Sequence, residues 1–368
     1  MGRGLIMLRR KLLSIPLLCL LIILLTGCLN IRDQNKQDDG GTTVEDGWLR
    51  PTIQIDEKYY AGLSPLKESP TAILTAETLN HRLDRDRFEL GLMEIAQNYF
   101  PTDDHLFVGG QIISEEEGRK WLAVESTQTP EGLNPPDAPS KVLKQILEHN
   151  YYSPNGQELS GVVVGLALAS TYMEKRENGE EQRLYYTADQ LRTYGYTMAE
   201  KIVERLRSKG VNVPIVTALY QLEEVDAYRP GNFLSVGFAE AGKNISGWET
   251  INEVYMLFPS QALERLDSQL ASEYQKLVQD VNDFFPRYVG LVGTGRFVDE
   301  QLVELELKAT TEFASMAEVI QLTQYIGVKA MDMLPEQTFF ALYVSSINEP
   351  KAILVRQPGE EPSMHIYR

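Results

Sequence analysis

By type and spacing, one cysteine and one pair of carboxylates stand out as groups that could do chemistry. Cys28 follows Leu25-Thr26-Gly27, and L-T-G-C matches the lipobox of bacterial lipoproteins. In that motif the chain is cut between Gly27 and Cys28, and the cysteine is acylated and becomes the mature N-terminus. The flanking residues agree. Arg3, Arg9, Arg10 and Lys11 precede an apolar run of about 14 residues, short of the ~20 a spanning helix needs and suited to a secretory signal. One acyl chain binds a membrane only marginally, so stable anchoring takes the two or three usual on such a cysteine, palmitate among them. The carboxylate pair is Glu249 and Glu253, beside Trp248 and Tyr255. An acid–base pair next to aromatic rings is what glycoside hydrolysis requires. The i, i+4 spacing, however, predicts an ordinary exposed helix face carrying both acids, and with 52 acidic residues such pairs are common.

Other chemistries lack support. His81, His105, His149 and His365 fall in no HExxH or HxH spacing, so no metal or cofactor is expected, and each reads as a surface or loop residue. No G-x-S-x-G elbow, S-x-x-K or P-loop occurs. Gly290-Leu291-Val292-Gly293-Thr294-Gly295 looks like a dinucleotide fingerprint, but strand-forming Phe297 and Val298 follow where a helix must open, so it reads as a glycine-rich strand. The two cysteines are Cys19, inside the leader, and Cys28; the body beyond them holds no thiol for disulfides, zinc or catalysis. The net charge is −17; without the four cations of residues 1–27, 31 basic face 52 acidic residues, a net −21. That field repels nucleic acid.

The elements that must position any site follow from patterning. Residues 29–50 are polar and aperiodic and read as a flexible tether, with ordered structure starting near Thr52-Ile53-Gln54-Ile55. Phe88, Leu90, Leu92, Met93, Ile95 and Ala96 keep helical spacing up to Pro101. Val108 to Ile113 reads as a strand, residues 127–139 as a proline-rich loop, and Ser140 as the cap of a short helix through Leu147. Gly161 to Thr171 is a buried strand, returned by a type I′ turn at Asn178-Gly179. Thr187 and Gln190 form a capping box for a helix closed by Gly210; Val213 to Leu222 and Phe233 to Phe238 are strands. Leu263 to Phe284 is one long amphipathic helix ended by Pro286. Strands at Tyr288–Phe297 and Leu302–Ala309 follow, then a helix capped by Ser315 and Glu318 that runs through Ile326 and closes at Gly327. Phe339–Ser346 and Ala352–Arg356 are the last strands.

The two halves share a grammar. Asn98-Tyr99-Phe100-Pro101 is matched by Asp283-Phe284-Phe285-Pro286, and Ala218-Leu219-Tyr220 by Ala341-Leu342-Tyr343. The expected fold is α+β: internally duplicated helix and β-hairpin units forming mixed or antiparallel sheets, preceded by a lipoprotein signal and a tether. The expected divisions are 1–27 signal, 28–53 tether, 54–250 first repeat with an insertion, and 251–368 second repeat.

The chain resembles the CamS family, bacterial lipoproteins regarded as sex-pheromone precursors. The matching pieces run in order: the lipobox at Cys28, Phe88-Glu89-Leu90-Gly91-Leu92, Gly132-Leu133-Asn134-Pro135-Pro136, Gly165-Leu166-Ala167-Leu168, Val213-Pro214-Ile215, Phe258-Pro259-Ser260 and Gln324-Tyr325. The resemblance implies a membrane-anchored extracytoplasmic protein with a repeated fold. In that family the pheromone is a short apolar peptide clipped from the end of the signal, here Leu21-Ile22-Ile23-Leu24-Leu25-Thr26-Gly27.

The expected function is a lipid-anchored surface protein that binds without catalysing. Its partners are the membrane, through the lipid, and a cell-wall or protein ligand; Gly132, Leu133, Asn134, Pro135 and Pro136 form a candidate binding loop. The alternatives are a cell-wall hydrolase with two converging carboxylates and a solute-binding lipoprotein with two lobes around a hinge.

Overall fold

The computed structural model describes residues 41–44, 48–51, 59–63, 68–74, 80–312, 315–347 and 349–367. The signal, Cys28 and the expected start at Thr52 lie outside the described residues. Strands β1 (Gly41–Val44) and β2 (Trp48–Pro51) pair as an antiparallel hairpin within the stretch read as a tether. Thr42, Thr43, Val44, Trp48 and Leu49 are residue types that favour strands.

The first unit contains β3 (Ala61–Gly62), β4 (His81–Arg82), α1 (Arg85–Gln97), β5 (Leu106–Gly109), α2 (Glu115–Trp121), β6 (Leu143–Tyr152) and β7 (Leu159–Leu168). It continues through the hairpin β8 (Thr171–Lys175) and β9 (Glu181–Tyr185), α3 (Ala188–Ser208), β10 (Ile215–Gln221), β11 (Glu223–Glu224), β12 (Asn232–Ala239) and β13 (Trp248–Thr250). Seven strands form one sheet in the order β13-β12-β10-β7-β6-β5-β3. The second unit has β14 (Glu253–Phe258), α4 (Gln261–Leu266), α5 (Ser268–Phe284), β15 (Val289–Val298), β16 (Gln301–Thr311), α6 (Met316–Met333), β17 (Phe339–Ser346), β18 (Glu349–Arg356) and β19 (Ser363–Ile366). Its strands form a six-stranded sheet in the order β14 to β19.

The two sheets share one topology. From β5 to β13 the pairings run antiparallel, antiparallel, parallel, antiparallel, antiparallel, with α3 as the crossover between parallel β7 and β10. From β14 to β19 the same sequence of pairings recurs, with α6 between β16 and β17. Ala218-Leu219-Tyr220 and Ala341-Leu342-Tyr343 therefore occupy equivalent strands. The fragments ending at Pro101 and Pro286 are not equivalent: α1 precedes β5, whereas α5 follows β14, the counterpart of β5.

Each sheet packs helices on one face. In the first unit Leu191, Met198, Ile202, Val203 and Leu206 of α3 bury against β7 and β10. In the second, α5 and α6 supply Tyr274, Leu277, Val281, Leu322 and Ile326 against β15 to β18. The first sheet is also covered on its other face, where Phe88, Leu92 and Ala96 of α1 pack on Val163, Ala167, Val216, Ala218 and Tyr220.

Several local expectations give way. Residues after Ser140 form β6, not a helix, because the segment is paired on both edges and buried along nearly its whole length. His81 and His149 are core residues, 4% and 1% exposed. The predicted long helix is two, broken at Asp267, whose carboxylate accepts the Leu270 N–H and caps α5. Gly327 lies inside α6, where a Cβ would meet Leu354 Cδ1 at 2.7 Å; it permits close approach of β18 rather than ending the helix. At the β8–β9 turn only Gly179 has positive φ, so the turn is not type I′. A two-residue turn of that kind stands instead at Asp299-Glu300, with φ of 48° and 64°, between the paired Val298 and Gln301.

Candidate functional site

Helix α1 starts because the Asp84 carboxylate accepts the Arg87 N–H at 3.1 Å. Its inner stripe is consumed by the first sheet, while Arg87, Leu90 and Glu94 point the other way. Opposite them lies the face of the second sheet on which no helix packs among the described residues. Alternation along β16 sends Leu305, Leu307 and Ala309 to the core and Glu304, Glu306 and Lys308 to this open face. On β17 the same alternation presents Phe339 and Tyr343. Between α1 and the open face runs a cleft of about 790 Å³, walled also by Tyr59, Tyr228, Tyr255, Thr294 and Arg296. Tyr228, 83% exposed, stands at its mouth.

One end of the cleft is closed by an ion network joining the two units. Arg87 of α1 donates from Nη2 to Glu253 Oε1 of β14 at 3.0 Å and from Nη1 to Glu94 at 3.1 Å. Arg296 of β15 donates from Nε to Glu304 at 2.9 Å and lies 3.5 Å from both Glu94 and Glu253. The Glu253 side chain is 3% exposed and also accepts the Phe233 N–H at 2.8 Å. Burial works against the Arg87 charge, but Glu94 and Glu253 outweigh it and hold the guanidinium more firmly charged than usual. Burial pushes the Tyr255 hydroxyl up, keeping it neutral.

Deeper in the cleft the groups are less satisfied. Glu306 is half-buried, and its carboxyl is raised above the ordinary glutamate value by desolvation and then by Glu304. Among the described residues no salt bridge to Glu306 or Lys308 is formed.

The structure separates the predicted carboxylate pair. Glu249 is exposed on β13 and Glu253 buried on β14, so they share no helix face and do not converge on a cavity. Trp248 stacks on Tyr196 of α3 at 4.0 Å, whereas Tyr255 lines the cleft. The candidate binding loop is partly structural. Gly132, Leu133 and Asn134 are buried, and Asn134 accepts the Leu143 N–H at 2.7 Å while donating to the Leu122 and Leu143 carbonyls. Pro135 is half-buried and Pro136 exposed. Gly27, Cys28 and Leu21-Ile22-Ile23-Leu24-Leu25-Thr26-Gly27 lie outside the described residues. Sequence reading missed the cleft because its walls come from both units; the open face of β16 was legible only as the alternation Glu304, Glu306, Lys308.

Residues 66–362 match the family described as CamS sex pheromone cAM373 precursor. The chain belongs to that family. Among solved structures it is similar to a sex pheromone precursor from Lactobacillus salivarius, with a TM-score of 0.77 and 24% identity over 88% of this chain and 99% of that one. It is also similar to the C-terminal domain of the sex pheromone staph-cAM373 precursor from Staphylococcus aureus, with a TM-score of 0.67 and 24% identity over 77% and 96%. No curated protein matches the chain. The fold expected of a CamS member, α+β with a repeated unit, is the fold observed.

Proposed function

We propose that this CamS-family chain is a lipid-anchored extracytoplasmic protein that binds a cell-wall polymer in the cleft and catalyses no reaction. In this reading the leader, residues 1–27, is cut at Gly27–Cys28, and Leu21-Ile22-Ile23-Leu24-Leu25-Thr26-Gly27 is released as the pheromone segment. Cys28 carries the lipid, residues 28–53 span the distance from the membrane, and 54–250 and 251–368 are two copies of one unit.

One observation carries the binding assignment. The sheet face that the first unit buries under α1 is open in the second. Tyr220 is 0% exposed and packs on Phe88 at 4.9 Å, whereas its counterpart Tyr343 is 38% exposed and lines the cleft. A sheet face with aromatic residues and partly desolvated charge is a surface that gains by being covered. Co-sedimentation of the full chain in detergent with purified cell-wall sacculi tests this reading. Wild type is expected to sediment, and Tyr228→Ala with Tyr343→Ala to weaken retention at least tenfold. No sedimentation, or retention unchanged in the double variant, would refute the assignment.

A further inference from the structure

The repeat supplies an internal template for what the open face accepts. In the first unit Gly165 of β7 pairs with Ala218 of β10, and a Cβ at Gly165 would lie 2.5 Å from Leu92 and 2.7 Å from Phe88. The position is glycine so that α1 can press into the sheet. The equivalent pair in the second unit is Glu306 and Ala341. A carboxylate stands where the covered sheet has a hydrogen atom, and no helix among the described residues lies over it.

Around that pair stand two rings, with Ala341 buried between them. Ala341 is directly opposite Glu306, and Phe339 and Tyr343 are two residues to either side on β17, so the rings rise about 13 Å apart at their backbones with a methyl group between them. Thr294 pairs with Glu306 on the other flank. Glu304 and Lys308 on its own strand, Arg296 on β15, Tyr343 on β17, and Asp84 and Arg87 from the start of α1 are the charged or titratable groups that face it. Glu304 is held by Arg296 at 2.9 Å, and Arg87 by Glu94 and Glu253, so those charges are already matched. Glu306 is not.

We infer that the cleft beside Glu306 takes a primary ammonium group on an aliphatic stem, its charge against Glu306 and its stem along Tyr343. The requirements are complementary. A carboxylate in a partly dry site is matched by a small cation that brings its own hydrogen-bond donors. The aromatic walls offer apolar contact to the stem and their ring faces to the cation. A neutral or anionic group would leave Glu306 desolvated without return.

This assignment rests on the cleft being the ligand face, and the test separates the two. Saturation-transfer-difference NMR on the full chain in detergent micelles, with N-acetyl-lysine amide as probe, is expected to show transfer to the ε-methylene protons. N-acetyl-norleucine amide, which has the stem without the charge, is expected to bind at least tenfold more weakly. Glu306→Gln should lower lysine-amide affinity at least tenfold, and Tyr343→Leu should lower it without altering the fold. Glucosamine binding with the same Glu306 dependence would support the ammonium site and place its source in an amino sugar. Equal binding of the norleucine and lysine amides, or undiminished binding by Glu306→Gln, would overturn it. If sacculi still bind through Tyr228 and Tyr343 while the amine probes fail, only the ammonium assignment falls.

Discussion

Glu253 of β14 joins the two units. It is buried, accepts a backbone N–H from β12, and faces two arginines. Glu253→Ala is expected to cost about 3 kcal/mol, because Arg87 would keep only Glu94 and the buried Phe233 N–H would lose its acceptor. Glu253→Gln, which keeps the acceptor for Phe233, should cost less; urea unfolding of both variants measures the order, and equal costs would contradict it. His149 permits a second prediction at this scale. Both its ring nitrogens are buried without a partner, and burial lowers its pKa from 6.5 to about 3. The neutral form is native and the unfolded chain takes up the proton, so stability is intact above pH 6.5 and falls as pH drops towards 3. His149→Leu should lose about 2 kcal/mol less than wild type between pH 7 and pH 5, a figure that follows from 1.36 kcal/mol per pKa unit. An identical loss in both proteins would contradict it. At this scale the sequence was least legible. Nothing in the spacing of His81, His149 or Glu253 told core from surface, since burial there comes from strands distant along the chain.

At the scale of elements, caps and turns behave as their local chemistry demands. The Thr187–Gln190 and Ser315–Glu318 capping boxes start α3 and α6 as expected, and Ser114–Glu117 starts α2 by the same device, a signal the sequence held but the reading passed over. Helix ends set by side chains three residues apart are readable without the fold. Strand β6 was not readable, because its polar residues Lys144, Gln145, Glu148, His149 and Asn150 conceal its burial. Two predictions belong here. Glu300→Gly should stabilise by about 1 kcal/mol in thermal or chemical melts, since Glu300 now holds a positive φ of 64° that glycine adopts freely; a loss of stability would show that the turn is not strained. Asn134→Ala should cost about 2–3 kcal/mol, because it strands the Leu143 N–H and two carbonyls within a buried loop. A cost under 0.5 kcal/mol, the range of an ordinary surface substitution, would mean the proline-rich loop is held elsewhere.

The whole molecule is two copies of one sheet topology, differing in what covers them. The first is closed by α1 and the second is open towards it, with the cleft between. The duplication was partly visible in Ala218-Leu219-Tyr220 and Ala341-Leu342-Tyr343. The paired proline fragments misled because aromatic-proline helix ends recur wherever a helix must stop beside a core. The cleft could not be read in advance, since its walls come from α1 of one unit and the sheet of the other. All of this presupposes a body displayed outside the cell, joined to the membrane by Cys28. Mass spectrometry of the protein purified from the membrane fraction tests that most directly. The account predicts an N-terminal peptide beginning at Cys28 with a diacylated sulfur; recovery of the chain with residues 1–27 attached and Cys28 free of lipid would contradict it.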